Sequence, residues 1–243
     1  MKIVTIIQAR MGSTRLPGKV MLEVCGKSVL ARVFDRVRRS RLAGEVVVAT
    51  TVHAADDILV GECQRLGVEV FRGSEDDVLD RYYWAARQFS ADAIVRICSD
   101  CPLIDSEIVD RTIECFLNVR VDYASNALDR TYPRGLDVEV MTLRALYSSW
   151  QQATVFYQRS HVTPYIYQNS ELFRIARVRS GEEHGELRWT LDTPEDLAFI
   201  RAVYERMSRL DEFGWRDVLH LLERQPELLE LNRHIRQKAL CEG

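Results

Sequence analysis

Short apolar runs alternate with amphipathic segments along most of the chain. The runs at residues 3–8, 45–50 and 93–97 are rich in β-branched residues and lack polar alternation, which is typical of parallel strands buried on both faces. Between them, apolar residues at helical spacing follow Ser28 and recur at residues 56–66. The first part of the chain therefore predicts alternating strands and helices.

The alternation continues with less regularity. Further strands are predicted at residues 68–71, 123–125, 137–141, 173–179 and 187–191. Further helices are predicted at residues 76–89, 106–117 and 194–210, after the capping residue Thr142, and in a tail from Trp215 onward. This order predicts an α/β fold with a doubly wound, mostly parallel, Rossmann-like sheet, in which ligands bind at the carboxyl ends of the strands. We expect one domain at residues 1–210 and a C-terminal helical tail at residues 211–243.

The composition, 47% hydrophobic and 28% charged residues in a chain of 243, is that of a well-cored globular protein. It excludes the disordered and fibrous classes. The first apolar run is interrupted by Arg10 and is too short for a signal peptide or a membrane span, so we expect a cytoplasmic protein with no membrane partner. The six cysteines have no framework spacing, and we expect them to be reduced.

Positive charge is concentrated at the start of the chain. The net charge is −3, but residues 1–41 contain ten Lys or Arg against two acidic residues, a balance of +8 that leaves −11 for the remainder. Nucleic-acid binding usually makes a whole domain basic, so we expect no nucleic-acid partner and favour a small anionic ligand such as phosphate. The basic residues of the first helix are expected to be solvated; they are Arg32, Arg36, Arg38 and Arg39.

The loop after the first strand has the chemistry of a phosphate site. Residues 8–19, QARMGSTRLPGK, combine two glycines, two hydroxyls and three cations. Glycine lets backbone N–H groups approach phosphate oxygens, while hydroxyls and cations donate hydrogen bonds and neutralise charge. The spacing fits neither the Walker A loop nor the dinucleotide fingerprint, and an ordinary cationic surface loop is the alternative. The candidate phosphate-binding residues are Arg10, Gly12, Ser13, Arg15 and Lys19.

Two aspartates follow predicted strands. Asp100 comes after residues 93–97 and Asp192 after residues 187–191, so both can face one crevice of a doubly wound sheet. Mg²⁺ is usually held by one or two carboxylates together with substrate phosphates, so the pair is a candidate site for Mg²⁺ as cofactor. Each has a structural alternative: Asp100 as a turn residue, and Asp192 as a residue at the start of the following helix.

Six segments, in order along the chain, resemble the cytidylyltransferases that activate sugars, especially the group of the spore-coat polysaccharide biosynthesis protein F. They are QARMGSTRLPGK at 8–19, RGSEDDVLDRY at 72–82, DCPLID at 100–105, YPRGLDVEV at 132–140, HVTPYIY at 161–167 and LRWTLDTPEDL at 187–197. The first and last are similar to 3-deoxy-manno-octulosonate cytidylyltransferases, and acylneuraminate cytidylyltransferases are related. The resemblance covers residues 1–207 and implies a sheet of the nucleotide-diphospho-sugar transferase type, with residues 1–210 as a nucleotidyltransferase domain.

The resemblance also implies roles for individual residues. Arg10, Ser13, Arg15 and Lys19 would hold the triphosphate of CTP, and Asp100 and Asp192 would bind the metal. In this scheme Arg15, Lys19 and Asp100 are the catalytic residues.

The nucleoside and sugar assignments each have an alternative. Arg72 and Ser74 match a segment near the nucleoside, although a Gly-Ser turn after a strand would look the same, and Asp80 and Arg81 are expected on a helix surface. His161 and Tyr165 match sugar contacts. An aromatic packing or dimerisation segment is the alternative for them, and residues 142–186 are a possible subregion for both tasks.

The predicted reaction is attack by a sugar hydroxyl or phosphate oxygen on the α-phosphorus of CTP, with release of pyrophosphate. An acidic 3-deoxy sugar as acceptor would give a CMP-sugar for surface polysaccharide biosynthesis, whereas a sugar-1-phosphate would give a nucleoside diphosphate sugar. The chain departs from this pattern at two positions: it has Ser99 where relatives commonly have Gly, and Cys98 where octulosonate enzymes have Gln. The identity of the acceptor sugar therefore stays open.

Two other classes of function are alternatives to the cytidylyltransferase. A nucleotide-sugar glycosyltransferase would use a metal-binding pair such as Asp137 and Glu139, and a catalytically inactive nucleotide sensor would keep the basic loop without needing two carboxylates.

A homodimer is expected through the apolar residues between Thr142 and Tyr167.

Overall fold

The computed structural model describes residues 1–207 and 212–238. The strands in these residues are β1 (Ile3–Gln8), β2 (Glu23–Val24), β3 (Lys27–Ser28), β4 (Glu45–Thr51), β5 (Glu69–Gly73), β6 (Ala93–Cys98), β7 (Tyr123–Ser125), β8 (Glu139–Thr142) and β9 (Ile175–Arg177). The α-helices are α1 (Val29–Val37), α2 (Asp57–Leu66), α3 (Val78–Gln88), α4 (Ser106–Val119), α5 (Leu143–Gln152), α6 (Phe156–His161), α7 (Pro164–Gln168), α8 (Pro194–Arg206) and α9 (Trp215–Arg224). Short 3-10 helices lie at Lys19–Met21, Ala54–Asp56 and Pro226–Leu231. None of the described helices is long and apolar enough to cross a membrane.

A seven-stranded, mostly parallel sheet forms the centre of the fold, in the order β5-β4-β1-β6-β8-β7-β9. β1 pairs in parallel with β4 on one side and with β6 on the other, and β4 pairs in parallel with β5. Only β8 among the seven runs against its neighbours, β6 and β7. The predicted α/β doubly wound class is confirmed, because helices cover both faces.

Two apolar layers flank the sheet, and the alternation of side chains along each strand separates them. On one face, Ile7 and Val48 lie in a cluster to which α1, α4, α8 and α9 contribute. On the other face, Ile6 and Val47 lie in a cluster with α3, α5 and α7. The parallel strands are buried on both sides, which explains why their sequences show no polar alternation.

The local signals for helix ends are confirmed. Ser28 caps α1, since its side chain accepts a hydrogen bond from the backbone N–H of Ala31. Thr142 caps α5 in the same way, through the N–H of Ala145. Gly67 ends α2 with a φ of 66°, a conformation that a side chain disfavours.

The expectation that the basic face of α1 is solvated is wrong for Arg32 and Arg36, which are buried. The guanidinium of Arg32 donates to the carbonyls of Val24 and Cys25. That of Arg36 donates to the carbonyls of Ile104 and Phe213. Both charges remain inside because backbone carbonyls replace water as acceptors, and the two arginines join α1 to neighbouring loops.

The strand predicted at residues 187–191 does not form. This segment makes a single parallel bridge, between Arg134 and Arg188. Further along the segment, the backbone N–H of Leu191 donates to the carbonyl of Asp100. A turn at Gly135, whose φ is 105°, ends the pairing. A Cβ on Gly135 would lie 2.6 Å from the backbone of Trp189, so only glycine allows this approach.

The tail packs on the same core as the rest of the chain. Trp215, Leu222 and Leu228 are buried in the cluster that also contains α1 and α4. The helix predicted at 194–210 ends at Arg206, and residues 208–210 lie outside the described residues, as does Cys241. The division into residues 1–210 and 211–243 stays a prediction.

Candidate active site

The loop after β1 lies at the carboxyl ends of the central strands, where Asp100 follows β6. The carboxylate of Asp56 holds this loop: its Oδ1 accepts from the N–H of Met11 at 2.8 Å, and its Oδ2 accepts from Thr50 and Thr51. Burial would raise the pKa of Asp56, but these hydrogen bonds lower it below its usual value. A charged Asp56 therefore organises the backbone of the loop.

Lys19 is the centre of the polar site. Its ammonium donates to Asp100 Oδ2 at 2.7 Å, to Asp192 Oδ1 at 2.8 Å and to the carbonyl of Leu191 at 2.8 Å. Burial alone would lower the pKa of Lys19, but the two carboxylates raise it above its usual value. Lys19 is therefore a charged link between three separate segments of the chain.

Asp192 is held from its other side by arginines. Its Oδ2 lies 3.0 Å from the guanidinium of Arg15 and 3.0 Å from that of Arg188. Arg188 also contacts Asp196, whose carboxylate closes the capping box of α8 with Thr193. Burial opposes ionisation of Asp192, yet Lys19, Arg15 and Arg188 lower its pKa. Asp192 is thus an ionised group between the loop and α8.

One cavity of about 440 Å³ opens along the loop. Arg10, Ser13, Arg15 and Lys19 of the loop line what we call its near wall, and Glu75, Asp76 and Arg81, which follow β5 along the chain, line what we call its far wall. The two walls meet where Arg10 Nη1 lies 3.8 Å from Glu75 Oε1. We call this space the first cavity.

The far wall of the first cavity contains a buried cation. Arg81 is 1% exposed, donates from Nη1 to the carbonyl of Ser74 at 2.7 Å, and leaves Nε without a hydrogen-bond partner among the described residues. Burial lowers its pKa. The expectation that Arg81 lies on a helix surface is wrong, because α3 turns it towards the loop.

A second cavity of about 500 Å³ lies on the other side of Asp100, over β6, β7 and β8. Glu139 on its floor pairs with Arg96 and accepts hydrogen bonds from Tyr123 and Thr163. Arg134 also lines it and makes no side-chain hydrogen bond or ion pair with the described part of the chain. Burial lowers the pKa of Arg134, so its charge would be stabilised by an anion.

The two cavities meet at the polar cluster. The residues that line both are Gln8, Arg15, Cys98, Asp100, His161, Asp192 and Lys238. A ligand in one cavity therefore touches a ligand in the other beside Asp100 and Asp192. A larger hollow of about 630 Å³ lies on α8 and α9, away from these strand ends.

A model of the family described as Cytidylyltransferase matches residues 4–225. The spore coat polysaccharide biosynthesis protein SpsF of Bacillus subtilis is 35% identical over 234 residues, which are 93% of this chain and 95% of that protein. The chain belongs to the cytidylyltransferase family.

Two further comparisons extend this result. The structure of a cytidylyltransferase from Leptospira borgpetersenii superposes with a TM-score of 0.92 and 35% identity, over 98% of this chain and 100% of that one. The 3-deoxy-manno-octulosonate cytidylyltransferase of Trichlorobacter lovleyi is 37% identical over 119 residues, 48% of this chain and 46% of that protein. The expected family, fold and nucleotidyltransferase activity are confirmed for this cytidylyltransferase.

Of the five predicted phosphate-binding residues, all except Gly12 line the first cavity of this cytidylyltransferase. Gly12 lies behind it, where a Cβ would come within 2.9 Å of Glu75 Oε1. Arg72 and Ser74 do not line the cavity. The guanidinium of Arg72 donates instead to the carbonyls of Thr51 and His53 and to Asp57. The residues of this segment that line the first cavity are Glu75, Asp76 and Arg81.

The two predicted sugar contacts separate in the structure. His161 lines both cavities, whereas Tyr165 packs against Phe173 in the apolar cluster. Tyr167 lines the second cavity instead. Residues two apart on a helix point about 200° away from each other, so Tyr165 and Tyr167 of α7 cannot both face the same space.

The two predicted metal ligands of this cytidylyltransferase converge on one position, now bridged by Lys19. Their carboxylate oxygens suit a hard divalent cation. No group of three or more His, Cys, Asp or Glu side chains that could hold a metal occurs in the described residues, so the remaining ligands would be phosphate oxygens and water. Burial raises the pKa of the neighbouring Cys98 to about 12, which keeps it a neutral thiol and a poor ligand. The donor set fits Mg²⁺.

Proposed function

We propose that this cytidylyltransferase transfers CMP from CTP to a sugar, with Mg²⁺ as cofactor and pyrophosphate as the second product. The observation that carries the proposal is the meeting of two cavities at Asp100 and Asp192, the two carboxylates that Lys19 links. One cavity accommodates the nucleotide and the other the acceptor, so the reacting atoms meet beside the charged cluster.

The charges of the first cavity support an orientation for CTP within it. The loop offers three cations and the Ser13 hydroxyl to the triphosphate. The far wall offers Glu75, Asp76 and Arg81, a mixture of acceptors and one donor that disfavours phosphates. Cytosine has an amino donor and carbonyl and ring-nitrogen acceptors, so we place the nucleoside at this wall.

In the reaction, an acceptor oxygen attacks the α-phosphorus, the bond from that phosphorus to the bridging oxygen breaks, and pyrophosphate leaves with the electron pair. The attacking hydroxyl releases its proton to solvent. Arg15 and Lys19 stabilise the charge that accumulates on the departing oxygens. A Mg²⁺ ion held by Asp100 and Asp192 would polarise the phosphate oxygens and make the hydroxyl more acidic.

The second cavity supports an anionic acceptor. Arg134 is half-buried and has a guanidinium that an acceptor carboxylate can pair with. An acidic 3-deoxy sugar has this group, and the similarity to SpsF and to the octulosonate relative supports a sugar for surface polysaccharide biosynthesis. A sugar-1-phosphate also offers an anion and is the alternative acceptor. We place the reaction in the cytoplasm.

The glycosyltransferase alternative receives less support. Asp137 is held by Arg130, and Glu139 by Arg96, so each carboxylate of that candidate pair has its own buried or half-buried arginine. Asp100 and Asp192 instead converge on one shared cation, Lys19, although Asp192 also contacts Arg15 and Arg188.

The test is an assay of pyrophosphate release with each nucleoside triphosphate, Mg²⁺ and a panel of 3-deoxy acid sugars and sugar-1-phosphates. We expect release with CTP and an acid sugar, and a loss of several orders of magnitude in Asp192→Asn with an increased Mg²⁺ requirement. Asp57→Asn, which changes an exposed carboxylate outside the site, is the matched control. Release that is equal in Asp192→Asn and wild type would contradict the metal assignment.

We also propose a homodimer. Tyr147, Val155 and Phe156 are 40%, 45% and 64% exposed, and the ring of Tyr147 lies beside the stacked rings of Tyr83 and Trp150. Leu146, another apolar residue between Thr142 and Tyr167, is fully buried and cannot contribute to an interface. A second copy of the chain is the proposed occupant, and light scattering at micromolar concentration should give the mass of a dimer; a monomer mass would refute it.

A further inference from the structure

Residues 232–238 cross the edge of the site, and we call them the strap. They lie beyond residue 225, where the family match ends. The strap begins at Asn232, which is 2% exposed and donates to the carbonyl of Arg188 at 2.9 Å and to Asp196 Oδ1 at 3.0 Å. A buried amide with two partners fixes the start of the strap beside the cluster.

A second contact fixes the strap close to the cavities. The side chain of Gln237 accepts a hydrogen bond of 2.6 Å from Arg188 Nη1. The same guanidinium donates from Nη2 to both Asp192 and Asp196, and from Nε to Asp196. Arg188 thus joins the strap directly to a carboxylate of the cluster.

Lys238 follows Gln237 and lines both cavities. It makes no hydrogen bond or ion pair with any residue in the described ranges 1–207 and 212–238. Among the described residues, one other Lys or Arg lines both cavities. It is Arg15, which is already paired with Asp192. Lys238 is therefore an uncommitted positive charge at the junction where the CMP group would pass from the nucleotide to the acceptor.

We propose that the strap is part of the active site: Lys238 binds the polyphosphate of the nucleotide at the junction of the cavities, and Gln237 is a positioning residue that holds Lys238 there through Arg188. The inference rests on the proposed function for the identity of the nucleotide. The binding of a polyphosphate anion can be measured without turnover.

The test is calorimetric titration of inorganic tripolyphosphate, with Mg²⁺, into the full chain. Lys238→Met should weaken binding about 10-fold, the lower range for a charge-assisted contact because the site is open to solvent. Lys238→Arg should restore affinity to within about 3-fold of wild type, since the charge is kept. Arg233→Met is the matched control on the same strap, because Arg233 is exposed and its one ion-pair partner among the described residues is Glu230; it should bind like wild type.

Gln237→Ala tests the positioning role. It should weaken tripolyphosphate binding by a similar factor with an unchanged melting temperature, and the double variant Gln237→Ala/Lys238→Met should bind no more weakly than Lys238→Met. Wild-type affinity in Lys238→Met, an equal loss in Arg233→Met, or no binding by the wild type would overturn the proposal.

The two proposals fail separately. Tripolyphosphate binding that depends on Lys238, with no pyrophosphate release from any nucleotide, would remove the proposed function and leave the phosphate site of the strap. Pyrophosphate release with unchanged KM for CTP and unchanged kcat in Lys238→Met would overturn the strap and leave the proposed function.

Discussion

Replacing Lys19 with methionine should destabilise the fold as well as the activity. The change keeps the length and apolar stem of the side chain and removes the charge between Asp100 and Asp192. Truncating one partner of a buried ion pair typically costs about 3–5 kcal/mol, because the other charge is left without compensation.

The structure reduces this figure. Asp192 keeps Arg15 and Arg188 as partners, so the uncompensated charge is that of Asp100, whose side chain is 27% exposed and partly hydrated. We expect a loss of about 2–3 kcal/mol. For a chain of this size, that loss corresponds to a fall in melting temperature of about 4–12 °C.

Urea and thermal denaturation at pH 7 measure the loss, and two comparisons isolate its cause. Lys2→Met breaks the surface pair with Glu45, which has a similar distance of 2.8 Å, and should cost less than about 1 kcal/mol. Adding Asp100→Asn to Lys19→Met should recover part of the stability because the orphan charge is gone. A Lys19→Met variant as stable as wild type, or a double variant whose losses simply add, would refute the reasoning.

Three further predictions follow from other parts of the structure. Arg81→Lys should weaken CTP binding about 10-fold while leaving tripolyphosphate affinity unchanged, as calorimetry would report, and equal losses would place Arg81 on the phosphates instead. Arg134→Met should raise the KM for the acceptor about 10-fold or more without changing that for CTP, and an unchanged acceptor KM would contradict an anion site there. Asp122 pairs with the side chains of Arg144 and Arg174. Burial would raise the pKa of Asp122, but these two pairs and a hydrogen bond from the backbone N–H of Arg174 lower it. Because its folded pKa lies below the unfolded value of about 3.9, its contribution is present above that pH and lost as the pH falls through the folded pKa. Melts of wild type and Asp122→Asn should therefore differ at pH 7, and the difference should shrink only when the pH falls below the unfolded value.

Local chemistry accounts for the parts of the site that were predictable. A loop with three cations and two glycines after a buried strand has few uses other than phosphate binding, and Lys19 and Arg15 do line the first cavity. The same reasoning did not foresee that Arg72 and Tyr165 lie outside the lining of both cavities, because a sequence pattern shows that a residue is near a site but not which way its side chain points. The helical position of Tyr165 turns it into the core, and the carbonyl of Thr51 takes the guanidinium of Arg72.

The sequence by itself determined most of the alternation of strands and helices, the two-sided burial of the central strands and the family, because these depend on short-range periodicity and on residues close together in the chain. Only the tertiary structure decided what depends on pairs distant in sequence. Lys19 meets Asp192 across 173 positions, Arg81 lies buried at the first cavity, Arg134 faces the second, and the strap reaches Arg188. Such contacts leave no local pattern, since their geometry is set by how the helices on both faces pack against the sheet.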